Sequence, residues 1–194
     1  MHKLRVEMFS DGVIAVIITI LVLELHAPDG ADWHSLQPLL PDFLGYVLTF
    51  VYLGIYWSNH HHMLQAADHV NGAVLWANLH LLFWLSLTPF VTRWMGDHPF
   101  ATVPVVVYGV DLLLAAIAYT ILERTLIKAQ GESSTLKMAV GNDTKGWASI
   151  ACYVAGLIVA LAGFAWLGLI LYAVVALMWL VPDRRIEIFL ASRR

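Results

Sequence analysis

Apolar residues run through this chain in long blocks separated by short polar punctuation. From Phe9 to Leu25 the charged side chains are Asp11 and Glu24 alone. An apolar helix needs about 20 residues to cross the hydrocarbon core of a bilayer, so a block of this size predicts a membrane span. Similar blocks run from Leu39 to Asn59, Val70 to Trp94 and Ala101 to Leu122. The last apolar stretch, Trp147 to Val181, is 35 residues long. That is too long for one comfortable span, and it predicts two short helices over 147–163 and 166–181 that turn near Phe164 to Gly168.

Charge placement decides between one helix and two in that stretch, because basic residues collect on the cytoplasmic side of a membrane protein. With two helices the chain has six spans, and both termini share a side with Lys3, Arg5, Arg124, Lys128, Lys137, Lys145, Arg184, Arg185, Arg193 and Arg194. Of the 11 basic residues, only Arg93 falls on the opposite side. With one helix the four C-terminal arginines cross over and the bias disappears. Six spans with both termini cytoplasmic are expected.

Composition agrees. The chain has 194 residues, of which 60% are hydrophobic and 13% charged, and its mean hydropathy is +0.73. Soluble domains carry roughly 25% charged residues, so an ordinary soluble enzyme is excluded. A disordered chain would need the opposite composition. The single cysteine, Cys152, rules out an intrachain disulfide framework and cysteine-based metal clusters. No nucleophile–base pair, phosphate-binding glycine loop or nucleic-acid patch stands out, so no enzyme activity, cofactor or nucleic-acid partner is expected. The first span carries Asp11 and lacks a small-residue cleavage site, so it reads as an uncleaved helix. The connection from Glu123 to Gly146 is polar and basic, while that from His26 to Asp42 carries Asp29, Asp32 and Asp42 without a lysine or arginine. With no repeat and no appended soluble domain visible, residues 1–194 read as one six-helix transmembrane domain.

Chemistry concentrates in the first helix. An aspartate one turn inside a membrane helix is costly and calls for a partner or water. Arg5 and Asp11 lie six positions apart, about 240° around the helix, so they do not face each other. Either Asp11 bonds to another helix or it sits at headgroup level. Gly12, Val16, Thr19 and Leu23 share one face within roughly 60°, and Asp11 projects about 140° from Val16. A threonine in such a helix commonly bonds the carbonyl four residues back and does nothing more.

Other polar groups are more ambiguous. Adjacent helical histidines point about 100° apart, so His60, His61 and His62 cannot converge on one metal unless the helix has ended. They read as an interfacial helix end. His80 and Asp111, inside the third and fourth spans, either mark an ion path or bond to neighbouring helices. Glu24 lies near the external mouth, where it concentrates cations. Ala151, Ala155, Gly156 and Ala160 have the small-residue spacing that permits close helix approach.

Arg5-x-x-x-Phe9-Ser10-Asp11 resembles the N-terminal signature of the transmembrane protein 175 family of lysosomal potassium channels and their prokaryotic relatives. Trp57-x-x-His60 is similar to that family's tryptophan–histidine pair at the end of the second helix. Asn78-Leu79 with Leu87-Thr88-Pro89-Phe90 is similar to its third. The motifs cover about the first half of the chain. This resemblance implies an all-α fold of six transmembrane helices without a Thr-Val-Gly-Tyr-Gly filter loop, assembled as a homotetramer with four first helices around a central pore. It implies a place in the plasma membrane of a prokaryotic cell. It implies that Val16, Thr19 and Leu23 line the pore, and that Arg5, Phe9, Ser10, Asp11, Trp57 and His60 form a signature network behind it; there His60 can pair with Asp11, and its protonation would couple to the first helix. The family often has a bulkier residue at the position of Val16, which points to a wider ring here.

The expected function is a potassium-selective channel, with an apolar constriction gated by wetting and a ring of Thr19 hydroxyls beside which potassium ions pass. The rival expectations are a proton-coupled secondary transporter using Asp11, His60 and Asp111 as a relay, and a metal-dependent enzyme built on the histidine cluster.

Overall fold

The computed structural model describes residues 3–131, residue 136 and residues 143–180. Lys137, Arg184, Arg185, Arg193 and Arg194 of the charge bias, and Val181 of the last predicted span, lie outside the described residues. The described residues form six α-helices, one 3-10 helix (Trp33–Leu39) and no strands. We label the α-helices α1 (Lys3–Leu23), α2 (Leu40–Gln65), α3 (Gly72–Asp97), α4 (Thr102–Gln130), α5 (Thr144–Leu161) and α6 (Ala165–Leu180). Five helical segments are long and apolar enough to cross a membrane, the second running through the 3-10 helix into α2; α6, with 16 residues, is shorter.

Helix ends follow local chemistry. Asp32 caps the 3-10 helix by accepting from the Ser35 N–H at 2.9 Å and the Ser35 hydroxyl at 2.7 Å. Asn71 accepts from the Val74 N–H at 3.0 Å to start α3, and Asp143 accepts from the Gly146 N–H at 2.8 Å to start α5. Such caps satisfy N–H groups that the first turn leaves without intrahelical partners. Several helices outrun their apolar blocks: α1 starts at Lys3, α2 continues through the histidines to Gln65, and α4 reaches Gln130. Polar residues suit a helix as well as apolar ones once the chain has left the hydrocarbon, so hydropathy marks the span and not the helix.

The turn between α5 and α6 is tighter than expected. Gly163 takes a left-handed backbone (φ 95°). Its N–H bonds the Ala160 carbonyl at 3.0 Å, and the Phe164 N–H reaches the Val159 carbonyl at 3.1 Å, closing α5 with a glycine-dependent Schellman turn. Gly168, expected at the turn, lies inside α6 and packs there: a Cβ on it would stand 3.0 Å from the Gly156 carbonyl oxygen. Of the small-residue set, Gly156 and Ala160 are buried, whereas Ala151 and Ala155 are exposed.

Two cores hold the bundle. α1 packs on α2 and α3, and an aliphatic core that includes Ile14, Ile17, Leu21, Leu53, Leu81, Leu85, Leu122 and Leu126 fills the space shared with α4. The second core lies among α2, the end of α3, α4, α5 and α6 and is built around Tyr52, Tyr108, Tyr153 and Tyr172. The Tyr52 hydroxyl donates to the Tyr172 carbonyl. Tyr172 threads between helices where glycine leaves room: a Cβ on Gly109 would overlap its hydroxyl oxygen, and one on Gly156 would stand 2.5 Å from its ring.

Overpacking a close-packed core costs about 1–3 kcal/mol, and alanine regains only about 1 kcal/mol of helix propensity over glycine. Gly109→Ala and Gly156→Ala should therefore each lower the thermal unfolding midpoint of the detergent-solubilised protein. A rise in either midpoint would show that the ring of Tyr172 has room to move.

Candidate functional site

The rotation of α1 is set by its buried residues. Val6, Ser10, Ile14, Ile17 and Leu21 recur every three or four positions and face the bundle. Gly12, Val16, Thr19 and Leu23 lie on the other side, their stripe centred about 150° away around the helix. All four are exposed, Val16 by 55% and Leu23 by 77%. The Thr19 hydroxyl donates to the Val16 carbonyl at 2.8 Å, three residues back and not four as expected. That bond uses the hydroxyl's only proton, so its oxygen keeps lone pairs for another partner.

Behind the stripe, polar side chains tie α1 to its neighbours. The Ser10 hydroxyl donates to the Val6 carbonyl at 2.8 Å and accepts from the Asn78 amide at 2.9 Å. The Asn78 carbonyl oxygen lies 2.7 Å from His60 Nε2. All three side chains are buried, so a bridge runs from α1 through α3 to α2. The Asp11 carboxylate accepts from the Trp57 indole N–H at 3.0 Å. Glu7 lies 3.5 Å from His61 Nδ1, and the Lys3 ammonium reaches the Ala67 carbonyl at 2.9 Å.

This arrangement corrects one expected pairing. His60 bonds Asn78, and Asp11 bonds Trp57, instead of the two bonding each other. Ser10 and Asp11 are consecutive and point about 100° apart, so one meets α3 and the other α2. Arg5 is exposed and makes no hydrogen bond or ion pair among the described residues, and Phe9 is exposed as well. Nothing in Asn78 alone marks it as the bridge, although an amide inside an apolar span always needs partners.

The remaining polar groups are placed as follows. The Thr88 hydroxyl donates to Asp111 at 2.9 Å, linking α3 to α4. His80 accepts from the Trp84 indole at 3.0 Å on the same helix. Thr49 meets Thr92 at 2.9 Å and Tyr108 at 3.1 Å, a three-helix contact that sequence reasoning missed. One polar residue in each of three apolar helices was the available signal. No hydrogen-bonded chain among the described residues joins Asp111 to Asp11 or His60, as a relay would need. His60, His61 and His62 are successive residues of one helix and form no metal cluster with other described residues.

Fold and site together define an all-α integral membrane protein with one apolar helix face turned outward and a polar bridge fixing its rotation. The profile of the family described as endosomal/lysosomal potassium channel TMEM175 matches residues 5–89. The chain is 54% identical, over 96% of its length and 97% of the relative's, to a protein of Chryseobacterium sp. (strain P1-3) named a potassium channel. A protein of Streptomyces collinus, also named a potassium channel, is 32% identical over 59% of this chain and 60% of its own. The crystal structure of a lysosomal potassium-selective channel TMEM175 homolog from Chamaesiphon minutus superposes with a TM-score of 0.81 at 26% identity, over 93% of this chain and 97% of the other. The chain belongs to the TMEM175 family.

Removing one member of a buried hydrogen-bonded set strands the others at about 1–3 kcal/mol each. Asn78→Ala leaves both Ser10 and His60 without that partner, whereas Trp57→Phe removes a donor from the less buried Asp11. Asn78→Ala should therefore lower the unfolding midpoint more than Trp57→Phe does. An Asn78→Ala midpoint equal to that of the unmodified protein would show that the bridge adds nothing to stability.

Proposed function

We propose that the chain forms a homotetrameric, potassium-selective channel with four copies of α1 around a central pore. The observation that carries this reading is the stripe Gly12–Val16–Thr19–Leu23, exposed on the side of α1 that faces away from its own bundle. A helix placed at the rim of a subunit with such a face forms a closed lining when copies surround an axis, and cyclic symmetry closes the ring. The bacterial relatives named potassium channels, and the similarity to a potassium-selective channel homolog of known structure, favour potassium as the permeant ion. The subunits sit in the plasma membrane with both termini cytoplasmic, and conduction needs no cofactor.

The mechanism follows from three rings. Val16 and Leu23 offer only apolar surface, so they act by size and by the cost of dehydrating an ion, and they conduct when wet. Thr19 offers four hydroxyl oxygens between them. Because each hydroxyl proton is held by the Val16 carbonyl, the oxygens present lone pairs and replace part of the shell of a passing potassium ion. A rise of 1.5 Å per residue puts the Thr19 and Leu23 rings about 6 Å apart along the axis.

Reconstitution in planar bilayers tests this reading. Thr19→Val keeps the shape and removes the oxygen, so the preference for potassium over sodium should fall while conduction persists. Leu23→Ala widens and wets the apolar ring, so conductance should rise. An unmoved reversal potential in Thr19→Val with a shifted one in Leu23→Ala would transfer selectivity to the constriction. Native mass spectrometry should give four chains per particle, and a stable monomer or dimer would count against the assembly. Saturable, proton-coupled flux in place of channel currents would mark a transporter.

A further inference from the structure

Arg93 is the one basic residue that the six-span topology leaves on the side away from the termini. Its side chain gathers the end of α1. Nη1 donates to the Glu24 carbonyl at 2.5 Å and lies 2.6 Å from His26 Nδ1, and Nη2 lies 3.3 Å from His26 Nε2. The Glu24 carboxylate stands 3.9 Å away, and Nε donates to Asp97 at 2.7 Å, one turn further along α3. Carbonyls after the last turn of a helix lack intrahelical donors and sit at the negative end of its dipole, so a guanidinium there is favourable.

We propose that Arg93 is a positioning residue that holds the Leu23 end of α1 back from the pore axis, with neutral His26 as its releasable partner. The direction follows from the rotation of α1: α3 lies on its buried side, and the stripe of Val16, Thr19 and Leu23 lies opposite. A tie from α3 therefore pulls this end outward. The proposal rests on the tetrameric pore reading above.

Protonation sets the release. A guanidinium only donates hydrogen bonds, so the Nη1–Nδ1 contact is a hydrogen bond in the neutral tautomer whose Nδ1 carries a lone pair; with a proton on Nδ1 that atom donates instead to the Glu24 carbonyl, 3.1 Å away. Acid fills that lone pair and places a second positive charge beside Arg93. The charged groups around the pair are Glu24 at the end of α1, Asp42 at the start of α2, and Asp97 on α3. Asp42 packs on α3, where a Cβ on Gly96 would overlap its carboxylate. Asp32 is turned to Ser35, and His98 to the Trp94 carbonyl. Once protonated, His26 Nδ1 turns its proton to the Glu24 carbonyl on its own segment, and the end of α1 keeps one tie fewer to α3. The end of α1 then relaxes toward the axis, and the Leu23 ring narrows.

The test is potassium current in a planar bilayer with pH changed only on the His26 side, from 8 to 5. Current should fall roughly three- to tenfold, the equilibrium equivalent of one hydrogen bond. His26→Asn, which keeps a neutral acceptor, should lose the acid step. Arg93→Gln should pass less current at both pH values, and Arg93→Lys, which keeps the charge without the fork, should restore part of it. A current independent of pH, or an acid step that survives in His26→Asn, overturns the proposal.

Absence of current at every pH would instead overturn the channel reading, and the tie is then read directly. Spin labels at Val22→Cys and Phe90→Cys, in a Cys152→Ser background, report the separation of α1 from α3 within one subunit. That separation should lengthen in acid with His26 present and stay constant in His26→Asn. A separation unchanged by acid with His26 present overturns the tie.

Discussion

The rotation of α1 about its own axis is the constraint on which the rest depends, and the Ser10–Asn78–His60 bridge fixes it. In hydrocarbon an unpaired polar group costs several kcal/mol, and no water is at hand to replace a lost partner. Turning α1 by one position would carry Ser10 about 100° away from Asn78, strand three side chains and swing Asp11 off Trp57. Aliphatic contacts alone would tolerate such a slip, because Ile14, Ile17 and Leu21 have apolar neighbours of similar size on either side. The polar bridge supplies the angular specificity that a greasy face lacks, and the outward aim of Val16, Thr19 and Leu23 follows from it.

The two cores divide the labour. The core beneath α1 is made mostly of leucines, isoleucines, valines and alanines that fill space without direction. The second core is built on tyrosines, two of which tie helices through their hydroxyls: Tyr52 donates to the Tyr172 carbonyl, and Tyr108 meets Thr49. Glycines at 109 and 156 let the ring of Tyr172 enter between helices. A rigid scaffold on that side and a single-sided attachment of α1 on the other leave the outward face of the first helix uncovered by its own bundle.

The ends of α1 are held differently. At its start Lys3, Glu7 and Asp11 reach three separate groups around the end of α2. At its finish Arg93 serves the Glu24 carbonyl, the Glu24 carboxylate and the His26 imidazole together. Ties spread over several side chains resist a single protonation event, whereas ties gathered on one guanidinium respond to it. The two ends therefore differ in how readily they move.

Hydropathy and charge placement by themselves determined the class of fold, the number of helices and the division of Trp147 to Val181 into two, because the bilayer permits few arrangements of apolar blocks. Periodicity determined which residues of α1 share the Val16–Thr19–Leu23 face, because helical geometry is local. Helix ends beyond the apolar blocks escaped, since polar residues extend a helix outside the membrane without a hydropathic trace. The partners of Ser10, Asp11 and His60 escaped for another reason. Spacing gives the direction of a side chain on its own helix, but which helix stands in that direction is set by packing across the bundle. Only the tertiary structure could give Asn78 to His60, Trp57 to Asp11 and Arg93 to the end of α1, since each joins residues that the chain itself keeps far apart.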